Sequence, residues 1–269
     1  MLKAVRPVKS SLPEINTTIL PIVILISGRG SNLHAIMDHI EQQQLPVKIR
    51  AVISDRANAP GLQRPQQAGI PVHILGYQHD NREQYDQALI ELIDQSNPDI
   101  ICLAGFMRIL SPLFVRHYHG RLINIHPSLL PNLKGLHTHQ RALDAGYSEH
   151  GASVHYVNEE LDGGPIIMQA TVPVYANDKE DTLASRVLQQ EHQLYARVLR
   201  MIADGQIHYQ ADGVYYNGKR LLSALKLNNH HPIHSRDRDN ASLTETVSRM
   251  DAAVEPPGMV SLRVSDKEE

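Results

Sequence analysis

The run Leu122-Ile123-Asn124-Ile125-His126-Pro127-Ser128-Leu129-Leu130-Pro131 sets an amide and an imidazole two residues apart at the end of a strand-like segment. Alternate residues of a strand share a face, so Asn124 and His126 can point into one cleft. An amide N–H can stabilise a developing oxyanion, and an imidazole can move protons near neutral pH. Those are the minimum parts for acyl transfer. Taken alone, the pair reads first as an ordinary strand end with two polar residues, and it is the rest of the chain that overturns that reading.

Three further stretches bear on it. Ser27-Gly28-Arg29-Gly30-Ser31-Asn32 leads from an apolar run into a helix-like segment, where unpaired backbone N–H groups can meet an anion. Ser31 and Asn32 can add hydrogen bonds and cap that helix. The stretch lacks both the Gly-Lys-Ser/Thr of a P-loop and the third glycine of the dinucleotide fingerprint, which favours a monophosphate over ATP or NAD. Ala104-Gly105-Phe106-Met107-Arg108-Ile109-Leu110-Ser111-Pro112 is an apolar loop that could wrap a flat heterocycle, because leaving Phe106, Met107, Ile109 and Leu110 all exposed is costly. Leu161-Asp162-Gly163-Gly164-Pro165 is a tight turn whose carboxylate could orient His126. Spacing alone cannot bring Asp162 and His126 together.

The elements that must position these residues follow from the hydropathy pattern. Thr18–Ser27, Val47–Ser54, Pro71–Leu75, Asp99–Ala104 and Arg121–Ile125 read as buried strands. Helical spacing marks Ser31–Gln44, Arg82–Gln95 and, more weakly because of Pro65, Gly61–Ala68. Continuous apolar strands alternating with helices predict an α/β fold, a doubly wound and mostly parallel sheet with helices on both faces, whose ligands lie at the carboxyl ends of the strands. The later part carries longer strands at Ala152–Val157 and Ile166–Val174, a helix over Lys179–Asp204, and two short strands around an Asn217-Gly218 turn. Residues 17–227 read as a single domain, with 1–16 and 228–269 as flexible tails.

Composition narrows the function. Lys+Arg 26 against Asp+Glu 29 leaves no basic footprint for nucleic acid. The single cysteine, Cys102, lies in an apolar run and reads as a core thiol. The apolar run Ile19–Ile26 is too short to span a bilayer and has no signal-peptide pattern, so the expected location is cytoplasmic. His137-Thr138-His139 is not a zinc signature, and no metal is expected.

Together with Gly135-Leu136-His137-Thr138-His139, these motifs occur in an order and at spacings that resemble the formyltetrahydrofolate-using formyltransferases over about residues 20 to 220. The resemblance implies transfer of the formyl group of 10-formyltetrahydrofolate to the amine of glycinamide ribonucleotide, a step of purine synthesis. It implies 10-formyltetrahydrofolate as a co-substrate with no tightly bound cofactor, and a monomer or homodimer. Carried over by residue, it makes Asn124, His126 and Asp162 catalytic, and Gly30, Ser31 and Asn32 the phosphate cradle. It gives Glu191 to the nucleotide, and Arg82, Met107, Arg108, Ile109, Leu110 and Asn124 to the folate. Two departures stand out: Asn132-Leu133-Lys134 replaces a basic-aromatic pair after Pro131, and Leu188 replaces a polar residue one turn before Glu191.

A formyltetrahydrofolate hydrolase would share Asn-x-His and the distant Asp, with water attacking instead of an amine. It usually carries an N-terminal regulatory domain, for which the 17 or so residues ahead of the first strand are few. A methionyl-tRNA formyltransferase would be expected to add a C-terminal nucleic-acid-binding domain. A non-catalytic nucleotide- or folate-binding module would keep the phosphate loop without needing the trio.

Overall fold

Strand β1 (Leu20–Ile26) alternates its buried side chains between two cores, and that alternation organises the molecule. In the computed structural model, which describes residues 19–76 and 82–227, Ile22, Ile24 and Ile26 face one core while Val23 and Leu25 face the other. Helices α1 (Ser31–Glu41) and α6 (Glu180–Ala203) fill the first core with Leu33, Ile36, Leu183, Val187, Leu194 and Val198. Helices α3 (Arg82–Asp94) and α4 (Pro112–His117) fill the second with Tyr85, Leu89, Phe114 and Val115. The sheet is therefore covered on both faces, as its apolar strands require.

The remaining strands are β2 (Val47–Ser54), β3 (Val72–Ile74), β4 (Ile100–Leu103), β5 (Leu122–His126), β6 (Glu149–Tyr156), β7 (Ile166–Pro173) and β11 (Leu225–Lys226). They form one sheet in the order β11-β7-β6-β5-β4-β1-β2-β3. Strands β3, β2, β1, β4 and β5 run parallel, β6 is antiparallel to β5 and to β7, and β11 runs parallel to β7. The order reverses between β1 and β4, which opens a crevice at their carboxyl ends. Strands β8 (Ile207–Gln210), β9 (Gly213–Tyr216) and β10 (Lys219–Arg220) make a separate antiparallel sheet, and the Asn217-Gly218 turn joins the last two. Tyr209 of β8 packs edge-on against Tyr156, with ring centroids 5.0 Å apart.

Several local outcomes differ from the sequence reading. The weak helix at Gly61–Ala68 is a 3-10 turn (Pro60–Leu62) followed by α2 (Gln63–Gln67), and Pro65 sits in the first turn, where no intrahelical N–H is needed. Helices α4 and α5 (Thr138–Asp144) fall in stretches to which the sequence reading assigned no helix. The two tails assigned to 1–16 and 228–269 lie outside the described residues. All described residues belong to one compact unit.

Candidate active site

The glycine loop expected to hold a phosphate leaves β1 at Ser27 and enters α1 at Ser31. Gly30 is the N-cap, in the left-handed conformation (φ 70°, ψ 28°), and no side chain caps the helix. The expectation that Ser31 and Asn32 cap α1 is therefore corrected: both lie inside its first turn, and among the described residues no cap side chain bonds the early N–H groups. Only the loop's glycine allows this path, because a Cβ on Gly30 would stand 2.9 Å from Gly61 Cα. Gly61 is equally constrained: its Cβ would meet Ile26 Cδ1 at 2.8 Å and Gly28 O at 2.9 Å, while its N–H donates to Gly28 O at 3.0 Å. The sequence reading missed Gly61, since its partner loop lies some thirty residues away.

Asn32 is buried, and its Nδ2 donates to Glu191 Oε2 at 2.8 Å, which joins α1 to α6 beside the loop. Burial raises the Glu191 carboxyl above its ordinary range, and the Asn32 bond opposes that rise. Asn32 Oδ1 is buried without a partner among the described residues. Leu188 lies one turn before Glu191 and is half-buried.

The loop after β4 alternates. Met107 and Ile109 are 61% and 64% exposed, whereas Phe106 and Leu110 pack on the second core and Arg108 stacks 3.9 Å over the Tyr85 ring. Burial of all four apolar side chains against the protein is thus not observed; two of them stay open to solvent or a ligand. Asp86, one turn after Arg82 on α3, accepts the Ser111 N–H at 2.5 Å and anchors the end of this loop. Arg82 opens α3 and is exposed.

Asn124 and His126 sit on β5, and the antiparallel register sets His155 directly opposite Asn124 and Ser153 opposite His126. His155 was not singled out from the sequence. Its signal was the alternation of Ser153 and His155 with apolar Ala152, Val154 and Tyr156 on one strand. The His155 Nδ1 lies 2.9 Å from Tyr156 O, which makes that nitrogen the donor and leaves Nε2 to accept from Asn124 Nδ2 at 3.1 Å. Burial pushes the His155 imidazolium down to about 4, so the ring is neutral near pH 7 and suits this role.

Asp162 does reach the pair. Its Oδ2 is 3.5 Å from His126 Nδ1, its Oδ1 is 3.8 Å from His155 Nε2, and both His126 and Asp162 are nearly buried. The first separation is an ion-pair distance rather than a hydrogen bond. Asp162 Oδ2 also accepts the Gly135 N–H at 2.9 Å, and His126 Nε2 donates to Leu133 O at 3.0 Å. The loop that departs from the family pattern is thus fastened to both members of the pair. Lys134 Nζ adds an ion pair to Glu160 Oε1 at 2.6 Å, beside the Asp162 turn. His137-Thr138-His139 starts α5: Thr138 Oγ1 donates to Pro127 O at 2.6 Å, and His139 Nδ1 lies 3.2 Å from His150 Nε2. No group of His, Cys, Asp or Glu that could hold a metal occurs among the described residues.

Tyr195, fully buried on α6, donates to Leu103 O at 3.1 Å and lies 3.3 Å from Ile123 O, so it spans the last residue of β4 and the neighbouring backbone of β5. The glycine loop, the exposed apolar loop and the polar cluster therefore emerge from adjacent strands β1, β4 and β5. Such a site can take an anionic group on one side and a flat apolar one on the other, with an amide, an imidazole and a carboxylate between them.

A formyl transferase family model matches residues 20–199. The phosphoribosylglycinamide formyltransferase of Escherichia coli is 53% identical over 201 residues, covering 74% of this chain and 95% of that protein. The Haemophilus influenzae enzyme of the same name is 42% identical over the same shares. Among solved structures, phosphoribosylglycinamide formyltransferase from Coxiella burnetii superposes with TM-score 0.75 at 50% identity, covering 78% of this chain and 99% of that one. A formyltetrahydrofolate deformylase from Pseudomonas syringae superposes with TM-score 0.69 at 27% identity, covering 73% and 65%.

Proposed function

The chain belongs to the formyl transferase family, and we propose that it moves the formyl group of 10-formyltetrahydrofolate onto the amine of glycinamide ribonucleotide. The products are formylglycinamide ribonucleotide and tetrahydrofolate, in purine biosynthesis. The observation that carries this reading is the convergence of Asn124, His126, Asp162 and His155 between the phosphate loop and the exposed face of Met107 and Ile109.

The ribonucleotide phosphate sits on the free N–H groups of Gly30, Ser31 and Asn32, favoured by the α1 dipole. The ribose hydroxyls offer donors to the unpartnered Asn32 Oδ1 and to Glu191. The pterin lies against Met107 and Ile109. Arg108 and Leu110 turn their side chains onto the protein, so they contribute backbone groups, and Arg82 supplies charge from the start of α3. The amine then attacks the formyl carbon. One Asn124 N–H is held by His155, which aims the other at the oxyanion. A donor so placed is worth about 3–4 kcal/mol. His126 is oriented by Asp162 and exchanges its bond to Leu133 O for one to the substrate. With its other proton on Nδ1 beside Asp162, its Nε2 takes the proton of the attacking nitrogen, the cation so formed stabilises the oxyanion, and the same proton passes to the folate N10 before the C–N bond breaks. No side chain of the cluster is a serine or cysteine nucleophile, which supports direct transfer.

Residues 17–227 act as a single domain in this reading, with both substrates as freely exchanging small molecules and no tightly bound cofactor. No helix among the described residues is long and apolar enough to cross a membrane, and the reading places the reaction in the cytoplasm. Mixing the protein with 10-formyltetrahydrofolate, with and without glycinamide ribonucleotide, tests the reading. Tetrahydrofolate is expected only when the amine is present. Release in its absence identifies a hydrolase instead.

A further inference from the structure

The crevice where the strand order reverses is bridged by a side chain that the chemistry above does not use. Ser27 is buried and is the last residue before the phosphate loop. Its N–H donates to Gly105 O at 3.1 Å, and its Oγ accepts the Met107 N–H at 2.9 Å. The loop that bears Met107 and Ile109 therefore starts with two bonds to the residue that launches the phosphate loop. On the other side of that residue, Gly28 O accepts the Gly61 N–H, and Gly61 backs Gly30 at close range. A continuous hydrogen-bonded and packed path runs from the N-terminus of α1 to the backbone of Met107.

Resting on the formyl-transfer reading, we propose that Ser27 is a positioning residue that couples the nucleotide and folate sites. An anion held by the amides of Gly30 to Asn32 fixes Gly28 and, through it, Ser27. A fixed Ser27 hydroxyl holds the Met107 amide, so part of the cost of ordering the folate loop is met before folate arrives. Linkage requires the reverse effect to be equal: bound folate must tighten the nucleotide by the same factor. Replacing Ser27 by alanine removes the Oγ bond but keeps the bond from its N–H to Gly105 O. The loop stays attached and loses only the second restraint.

The test is a binding cycle on the full chain with glycinamide ribonucleotide and tetrahydrofolate, each titrated alone and against a saturating amount of the other. In the wild type each ligand is expected to tighten the other about fivefold, the scale of one hydrogen bond acting as a coupling. In Ser27→Ala each ligand alone is expected to bind within about twofold of wild type, with the coupling factor falling to about one. Ser27→Thr, which keeps the hydroxyl, is expected to restore it. Hydrogen exchange at the Met107 amide gives a second readout: adding the nucleotide alone slows it in the wild type and leaves it unchanged in Ser27→Ala. Independent binding in the wild type, or full coupling in Ser27→Ala, overturns the proposal while leaving formyl transfer intact. If neither ligand binds the wild type, the formyl-transfer reading fails and the proposal with it. If Ser27→Ala does not fold, Met107 exchange in the wild type that ignores the nucleotide overturns the proposal.

Discussion

His155→Phe isolates what the cross-strand histidine does for Asn124. The ring volume is nearly kept in a buried position, while the Nε2 acceptor 3.1 Å from Asn124 Nδ2 is lost. Removing an oxyanion donor outright costs about 10²- to 10³-fold in kcat. Here the donor remains but its amide is free to rotate, so kcat is expected to fall about 10- to 100-fold with KM for both substrates nearly unchanged. In an Asn124→Ala background the same substitution is expected to cost less than about threefold, because the two residues act as one unit. Steady-state kinetics on the four proteins of this cycle give the answer. A drop in kcat below threefold for His155→Phe alone, or full additivity with Asn124→Ala, refutes the idea that His155 works by aiming the amide.

Other perturbations separate binding from chemistry. His126→Ala and Asp162→Asn are each expected to reduce turnover far more than ligand affinity, and single-turnover transfer within a few fold of wild type would contradict their assigned roles. Gly61→Ala forces a Cβ to within 2.8–2.9 Å of Ile26 Cδ1, Gly28 O and Gly30 Cα, so KM for glycinamide ribonucleotide is expected to rise about tenfold or more with a smaller effect on the folate; an unchanged KM would show that the loop has room to give. Stability should also depend on pH. Burial lowers His155 and His150 to about 4 from the ordinary 6.5. In that window the unfolded chain binds more protons, so stability is fully present above about pH 6.5 and is lost as pH falls toward 4, by up to about 3 kcal/mol per histidine. Denaturant unfolding from pH 7 to 4 is expected to show this slope, and His150→Phe or His155→Phe should each remove up to one proton from it.

The sequence made the covered parallel strands readable because β1 and β4 are nearly continuous apolar runs and β2 becomes one after Arg50, and helices α1, α3 and α6 show clear helical spacing. It was less informative where elements are short. Helix α4 has six residues, and its Ser111-Pro112 start is an N-cap followed by proline at the first helical position, a signal present in the sequence but drowned by the apolar loop before it. Helix α5 starts from left-handed His137, a cap that residue type does not announce. Strands β10 and β11 are two residues each and exist only by pairing. At the site, local motifs singled out Asn124, His126 and Asp162, but their proximity is a product of the fold. Gly61, His155 and the bond from the Met107 N–H to Ser27 Oγ were not readable, because each contact crosses a strand register or a loop that links distant parts of the chain. The capping role expected of Ser31 and Asn32 failed for a local reason: Gly30 takes the cap position, and Asn32 is drawn inward to Glu191.

The turn between β6 and β7 crosses its own strand so closely that a Cβ on Gly164 would lie 1.9 Å from Tyr156 O. Asp162, two residues earlier, is left-handed at φ 48°. The acid is thus delivered by the track of the main chain and not by the reach of a side chain. Any redesign that lengthens this hairpin, or grafts it onto another scaffold, must carry the glycine crossing along with the carboxylate, or the imidazole will face an empty corner.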